Sequence, residues 1–312
     1  MGLNLAKTVV GFLSENTEQK FTARQIAQWI FKNFPAECQE KKENSTSVQT
    51  DDDLLQQIIR EIASQRPSLQ RRNSQLKTTE GRPRQYYWTE KTDLAEVSEA
   101  EGASASSHLV AGSGSLKEAE LYPLLSEYLW SELGIYSKRI DEKRSSNRQG
   151  PKGNKWLYPD IVGMENLTAD WHQEVKDLVK EYADKKTKLW SLEVKILLNR
   201  SNVREAFFQA VSNSSWANFG YLAAAEIEGA DTMKELRMLF SLHGIGLIQI
   251  DPENPTESQI LIPARERPEV DWATCNRLTH ENKDFLQYLK LVRQFHQTED
   301  PRPKDWDLPE NN

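Results

Sequence analysis

The chain of 312 residues carries a formal net charge of −7, with ordinary charge content and moderate hydrophobicity. Its length predicts two compact domains, and it contains no run of about 18 apolar residues, which excludes a transmembrane helix. The two cysteines, Cys38 and Cys275, lie far apart in the sequence, which excludes a disulfide framework and a cysteine-based zinc site. The N-terminal stretch lacks the apolar block of a secretory signal, so we expect a cytoplasmic protein.

Positive charge is concentrated in two stretches, residues 66–91 and residues 136–155, although the chain as a whole is acidic. Net charge averages over domains, whereas a phosphate backbone responds to the local distribution of charge. Two solvated loops would show the same composition, so the charges alone leave DNA contact and plain solvation equally open. The candidate DNA-binding residues in these stretches are Arg71, Arg72, Lys77, Arg82, Arg84, Arg144, Arg148, Lys152 and Lys155.

The first segment, residues 1–91, predicts three helices followed by a hairpin. Apolar residues recur at helical spacing between residues 3 and 16, after the capping residue Thr22 and after the acids at 51–53. Two strand-like stretches, SLQRRNSQLKTTE and QYYWTE, flank the turn GRPR. The pattern is typical of a winged helix and resembles the HARE-type helix-turn-helix of chromatin proteins and some restriction enzymes. That resemblance implies a DNA-binding domain, with protein contact as the alternative because a fold alone does not fix function.

Composition places a domain boundary at residues 92–115, where Ser, Ala, Gly and acidic residues replace large apolar ones. Such a stretch is typical of a flexible linker. Strands and helices then alternate over residues 116–298, which predicts an α/β domain with a mixed central sheet flanked by helices. The acidic, Pro-rich tail at 299–312 is expected to be loosely held.

Two copies of the tripeptide Glu-Val-Lys occur in different contexts. Glu174 lies in a stretch with helical spacing of apolar residues, which predicts a solvated helix face. Glu193 lies in the apolar run LWSLEVKILL, where Glu193 and Lys195 are predicted to point to the same side of a strand. Buried charge is costly unless it is paired or holds a metal, so this strand is a candidate site. The only Pro-Asp pair of the chain, Pro159-Asp160, is expected to meet Glu193 across the sheet.

Asp160 in its Pro-Asp pair, followed by Glu193-Val194-Lys195, resembles the signature of the PD-(D/E)XK nuclease superfamily. The resemblance implies that the carboxylates of Asp160 and Glu193 and the carbonyl of Val194 hold Mg²⁺ or Mn²⁺. It also implies that Lys195 orients or activates the attacking water and steadies the phosphorane. Hard cations prefer carboxylate oxygens, and a nearby positive charge offsets the charge that develops on the phosphate. The interval between the two acids is long, and a helical insertion at 171–186 is expected to account for it.

Two further residues resemble supporting members of such sites. Glu120, in LKEAELYPLL, resembles the acid on the first core helix that often completes the catalytic and metal site, with Glu118 as a competing choice. Gln209, in VREAFFQAVSNS, resembles a glutamine that follows the Glu-x-Lys strand in several nuclease families. A surface helix glutamine explains Gln209 equally well.

With the N-terminal segment included, the chain resembles HrgA-type bacterial proteins, which pair a helix-turn-helix with a restriction-endonuclease-like domain. The stretch NKWLYPDIVGME carries the most specific part of that resemblance. It implies a metal-dependent DNA endonuclease of restriction or phage-defence type, acting on double-stranded DNA and not at a membrane. The alternative is a DNA-binding regulator whose nuclease-like domain is inactive and binds a ligand or partner. Cutting of both strands would suggest a homodimer, but the sequence reveals no dimer interface.

Overall fold

The computed structural model describes residues 3–45, 48, 50–80, 83–102, 116–146, 153–182 and 184–309. The chain divides into two compact units. The first comprises Met1–Glu96 together with the short segment Ile227–Met233, and the second comprises Val97–Glu226 and Lys234–Asn312. Within the described ranges, no helix combines the length and the apolar character that a membrane span requires.

The first unit is built from helices whose apolar faces share one core, together with a small sheet. Thr22 and Thr50 each cap the helix that follows, because their hydroxyls accept a hydrogen bond from the third helical N–H. Val9, Ile30 and Ile58 are fully buried in the shared core. The elements are α1 (Leu5–Glu15), β1 (Phe21–Thr22), α2 (Ala23–Asn33), α3 (Pro35–Glu43), α4 (Asp51–Arg72), β2 (Leu76–Thr78) and β3 (Gln85–Trp88).

Three features of this unit differ from the sequence prediction. Residues 68–72, predicted as the start of a strand, instead complete α4, so Arg71 and Arg72 lie in its last turn. The short strand β1 pairs with β3 and extends the predicted hairpin to an antiparallel sheet in the order β1-β3-β2. The helix α3 was not predicted. Its sequence has only weak apolar periodicity, because Cys38 is its one buried residue.

The predicted flexible linker begins with a helix, α5 (Asp93–Gly102). The ammonium group of Lys77 donates hydrogen bonds to the carboxylates of Asp93 and Glu96. A buried lysine requires such partners, and they hold the start of the linker in place. The expectation of a flexible segment is therefore wrong for this part, while residues 103–115 lie outside the described residues.

The second unit contains a mixed sheet of six strands in the order β4-β5-β6-β7-β8-β9, flanked by helices. Strands β4, β5 and β6 pair antiparallel, β7 and β8 pair parallel, and β8 and β9 pair antiparallel. The prediction of an α/β unit with a mixed central sheet is confirmed. The elements are α6 (Glu118–Ser131), β4 (Ile135–Arg139), β5 (Ile161–Asn166), α7 (Gln173–Glu181), β6 (Thr187–Leu198), α8 (Val203–Asn213), β7 (Phe219–Ile227), α9 (Ala230–His243), β8 (Gly246–Gln249), β9 (Gln259–Ile262), α10 (Trp272–Glu281) and α11 (Lys283–Thr298).

Apolar side chains cover both faces of this sheet. On one face, Leu125 of α6 belongs to the same buried cluster as Leu192 and Val194 of β6. On the other face, Val162 of β5 belongs to a cluster with Phe285 of α11. Because side chains alternate along a strand, the residues between Leu192 and Val194 and just after them point away from the apolar cluster that contains Leu125. Alternation thus sets the direction of the two charged residues in this strand.

The end of the chain differs from the prediction in two ways. The final helix predicted at 281–295 is confirmed as α11, but a further helix, α10, comes before it, and the side chain of Asn282 caps α11 by accepting backbone hydrogen bonds. The described part of the tail, residues 299–309, is held rather than loose. The ring of Trp306 is buried and lies 5.7 Å from the ring of Tyr136 and 6.1 Å from that of Tyr288.

Candidate active site

Antiparallel pairing of β5 and β6 places Asp160 and Glu193 opposite each other. Ile161 lies opposite Leu192, so Asp160, the residue before β5, stands opposite Glu193. The backbone N–H of Asp160 donates to the carbonyl of Leu192 at 3.0 Å. Its carboxylate oxygen Oδ2 accepts a hydrogen bond from the backbone N–H of Val194 at 2.8 Å. The two acids therefore meet across neighbouring strands.

Glu193 and Lys195 form a buried ion pair on one side of β6. The ammonium group of Lys195 lies 2.7 Å from Oε1 of Glu193 and donates to the carbonyl of Val194 at 3.0 Å. The Glu193 side chain is 2% exposed and that of Lys195 is 10% exposed. Alternation along the strand produces this arrangement, and the strand context predicted for the pair is confirmed.

Burial sets the protonation of this pair. Loss of water around the carboxyl group, reinforced by the nearby charge of Asp160, raises the pKa of Glu193 to about 8. Burial opposes the positive charge of Lys195, but attraction to Glu193, Asp160 and Glu118 raises its pKa above the ordinary value. Both groups hold their protons more tightly than in water, so the lysine remains the cation of the pair.

Three residues that surround Asp160 complete the site. The hydroxyl of Tyr122 donates to Oε1 of Glu118 at 2.7 Å and lies 3.4 Å from Oδ1 of Asp160. Nη1 of Arg139 donates to the carbonyl of Asp160 at 2.5 Å and lies 3.2 Å from its Oδ1. Burial, with the charge of Asp160 as a further cause, raises the pKa of Glu118, and Lys195 only partly offsets this. Burial and the same carboxylates raise the pKa of the Tyr122 hydroxyl.

Glu118, rather than Glu120, is the acid that the first helix of this unit brings to the site. Oε2 of Glu118 lies 4.0 Å from Nζ of Lys195. Glu120 is exposed, and its carboxylate accepts a hydrogen bond from the backbone N–H of Lys117 at 2.8 Å, which caps α6. The expectation for Glu120 is therefore corrected. Helix geometry explains the difference, because Glu118 shares a face with Tyr122 at a spacing of four residues.

Gln209 is buried in α8, and its side chain contacts the short 3-10 helix Gly153–Trp156 rather than the carboxylates. Its Nε2 donates to the carbonyl of Lys155 at 3.0 Å, and its Oε1 has no hydrogen-bond partner among the described residues. One turn later, Nδ2 of Asn213 lies 2.9 Å from Oε2 of Glu193. Asn213 is thus the amide that touches the site acid. The sequence signal that could have found it is its spacing of four residues from Gln209 on a buried helix face.

The donor set fits a hard divalent cation in ligand type and in charge. Carboxylates and a backbone carbonyl are the oxygen ligands that Mg²⁺ and Mn²⁺ prefer. If all three carboxyl groups of Glu118, Asp160 and Glu193 were ionised, they would outnumber the cations Lys195 and Arg139 by one negative charge, which a bound divalent cation would offset. Within the described ranges, no three Asp, Glu, His or Cys side chains lie close enough together to form a preformed metal site. Instead, Lys195 and Arg139 form ion pairs with carboxylate oxygens of the site.

The second Glu-Val-Lys copy lies outside this site. Glu174 is exposed on α7, so its predicted helix context is confirmed. A separate cavity of about 720 Å³ is lined by Leu189, Val270, Trp272 and Val292, among others, and by none of the charged site residues. The converging charges, rather than this cavity, mark the candidate active site.

The basic residues predicted to contact DNA in the first unit have different environments. Lys77 is buried against two carboxylates, so it is not available to a phosphate, and that prediction is wrong. Arg84 is held by Glu80 at 2.9 Å. Arg71 and Arg72 are exposed at the end of α4. These last two residues therefore supply accessible positive charge.

The remaining predicted DNA contacts belong to the second unit or lie outside the described residues. Arg144 pairs with Asp284, and Lys155 lies 3.1 Å from a carboxylate oxygen of Glu205. Both basic side chains keep a solvent-exposed part, so a phosphate can compete for them. Arg82, Arg148 and Lys152 lie outside the described residues.

Comparison with known proteins leaves the family of this chain open. No family model, curated protein or solved structure matches it.

Proposed function

We propose that the protein is a divalent-metal-dependent DNA endonuclease of the PD-(D/E)XK type, with a domain arrangement like that of HrgA-type bacterial proteins. The observation that carries this proposal is the convergence of Asp160, Glu193 and Lys195 from two neighbouring strands. A simple ion pair needs one acid for one base, whereas this site gathers a surplus of carboxylates in a buried place. Such a surplus is typical of sites that bind cations.

Each residue of the proposed site has a distinct role. Asp160, Glu193 and the carbonyl of Val194 would hold Mg²⁺ or Mn²⁺, which when bound activates water and polarises a phosphate. Lys195, fixed between Glu193 and the Val194 carbonyl, steadies the negative charge of the phosphorane. Asn213 fixes the carboxylate of Glu193 through Oε2. This division leaves Lys195 as an electrostatic group rather than a proton acceptor.

The first unit is proposed to bring the site to double-stranded DNA in the cytoplasm. Its helices and antiparallel sheet are compatible with a winged helix, and Arg71 and Arg72 supply accessible positive charge. A homodimer would allow both strands to be cut, since one site cleaves one strand. A restriction or phage-defence role follows from the proposed activity and domain arrangement.

One pair of variants tests the proposed activity against a matched control. Glu193→Ala is expected to abolish cleavage of a plasmid in Mg²⁺ or Mn²⁺, whereas Glu174→Ala, at the exposed copy of Glu-Val-Lys, should leave it intact. Modified and unmodified plasmids, each with and without EDTA, complete the assay. Equal loss of activity in both folded variants would show that the site is placed wrongly.

A DNA-binding regulator with an inactive nuclease-like domain is the second candidate. It is favoured by the short distance of 2.7 Å between Lys195 and Glu193, since this pair satisfies both charges without a metal. Asp160→Ala separates the two functions. A nuclease loses cleavage and keeps DNA binding, while a regulator shows no cleavage and no dependence on divalent metal in either form.

A further inference from the structure

Arg139 is a second cation of the site and differs from Lys195 in how it is held. It is the last residue of β4, and its guanidinium lies over the ring of Tyr122 at 3.8 Å from the ring centroid. Nη1 makes both of its side-chain contacts, to the carbonyl and to Oδ1 of Asp160. Stacking on an aromatic ring fixes the plane of a guanidinium.

Arg139 has two further side-chain donor groups besides Nη1. Nε and Nη2 have no acceptor among the described residues. The side chain is 31% exposed, against 10% for Lys195, so a ligand can reach the guanidinium directly. Asp160 is already fixed by the Val194 N–H at 2.8 Å. Holding Asp160 therefore does not by itself explain why the guanidinium of Arg139 is both stacked and accessible.

A fixed guanidinium with a free donor edge suits an oxyanion that accepts two parallel hydrogen bonds. Phosphate groups fit this geometry, which a lysine cannot reproduce. Carboxylates of Asp160 and Glu118 lie close by and repel an isolated anion, so a phosphate is favoured when it is part of a ligand that also interacts with the rest of the site. A phosphodiester of a nucleic-acid strand meets this requirement.

We propose that Arg139 binds a phosphate of the substrate strand through its free Nε and Nη2 edge and so positions that strand beside Asp160 and Glu193. The inference rests on the proposed endonuclease function, because it assigns the substrate contact of the same site. Arg139 accepts no proton in this role and forms no covalent bond. Its contribution is to hold the strand and to offset the negative charge of the carboxylates.

The test measures, by calorimetry, the binding of thymidine 3′,5′-bisphosphate to the full chain. This probe carries one phosphate on O3′ and one on O5′ of the sugar. The titration is performed at low salt, with and without Mg²⁺. Arg139→Gln is expected to weaken binding by about 10- to 100-fold, the usual worth of hydrogen bonds to a charged group. Lys138→Gln removes a positive charge from the neighbouring position of β4, where Lys138 is bound to Asp307 at 2.7 Å, and should bind the probe as the parent does.

A second variant keeps the test valid if Arg139→Gln does not fold. Arg139→Lys retains the charge but lacks the planar donor edge, and it should bind the probe measurably more weakly than the parent. Parent-like affinity in either folded Arg139 variant would overturn the inference, as would a parent that does not bind the probe at all. Equal weakening by Lys138→Gln would also overturn it, because the effect would then reflect overall charge alone.

Plasmid cleavage by the parent separates this inference from the proposed function. Cleavage by the parent, together with parent-like probe binding by Arg139→Gln, would refute only the assignment of Arg139. Arginine-dependent probe binding by a parent that cleaves no DNA under any metal condition would refute the endonuclease and retain a phosphate site. If both proposals hold, Arg139→Gln raises KM for DNA more than it lowers kcat, since binding is the step that it loses.

Discussion

Replacement of Glu193 by Gln should change how the stability of the metal-free protein depends on pH. Gln has nearly the same shape as Glu but no charge, so the variant removes the titration of one buried carboxyl group. The pKa of Glu193 in the folded protein is raised from 4.5 to about 8 by burial and by the charge of Asp160. The unfolded chain, exposed to water, titrates near the ordinary value.

The expected magnitude follows from these two values. One pKa unit corresponds to about 1.4 kcal/mol, so ionisation of Glu193 costs roughly 4 to 5 kcal/mol more in the folded protein than in the unfolded chain. Below about pH 4.5 both states hold the proton, and the parent has its full stability from this group. As pH rises from 4.5 to 8, only the unfolded chain releases the proton, so the free energy of unfolding of the parent falls. Above about pH 8 this loss is complete.

Urea denaturation in EDTA between about pH 5 and pH 9 measures the effect. The free energy of unfolding of Glu193→Gln minus that of the parent should rise by about 1.4 kcal/mol per pH unit up to about pH 8 and then level off. Titrating groups that do not interact with Glu193 cancel in this difference. Glu174→Gln, at the exposed copy of the tripeptide, is the matched control for a change of net charge.

A flat difference for Glu193→Gln between pH 5 and pH 8 would refute the reasoning, since it would show that Glu193 titrates near its ordinary pKa of 4.5. A rise that the Glu174→Gln control shares would refute it as well, because the effect would then come from net charge rather than burial. The constant offset between the curves carries a different meaning. It reports what Lys195 loses when its charged partner is replaced by an amide.

Three further outcomes are expected. Lys195→Ala should lose plasmid cleavage yet gain thermal stability from Mg²⁺ as the parent does; a variant that is unfolded or indifferent to Mg²⁺ would contradict its catalytic assignment. The double variant Arg71→Gln, Arg72→Gln should weaken binding of duplex DNA and reduce the salt slope by roughly two, whereas Arg84→Gln should change it less; equal slopes would argue against contact by the end of α4. Lys77→Met should lower the free energy of unfolding by roughly 3 kcal/mol in urea denaturation, because it leaves two carboxylates without their cation; a loss below about 1 kcal/mol would argue against a buried pair.

Local patterns in the sequence predicted those features that depend on neighbours along the chain. The apolar run around Glu193 is a strand, and alternation places Glu193 and Lys195 on one side of it. Helical spacing around Glu174 predicted a helix with that residue exposed. The alternation of strands and helices predicted the mixed sheet of the second unit. In each case the period of the side chains is a property of the local backbone, so a short window of sequence contains the information.

Contacts between elements distant in sequence required the tertiary structure. The approach of Glu118 to Lys195 depends on where α6 starts over the sheet. Arg139 contacts Asp160 because β4 pairs with β5. The local sequence around Arg139 does not predict the register of that pairing. The local sequence suggested that Lys77 contacts DNA, whereas in the structure two acids of α5 form ion pairs with it.

The sequence by itself thus determined which residues of β6 are charged, which side of the strand they share, and that such charges need partners. The tertiary structure decided which groups surround them, namely Asp160, Asn213 and Glu118. The physical reason is that side-chain direction follows from backbone periodicity, whereas ion pairs and hydrogen bonds form over a few ångströms between segments that only packing brings together.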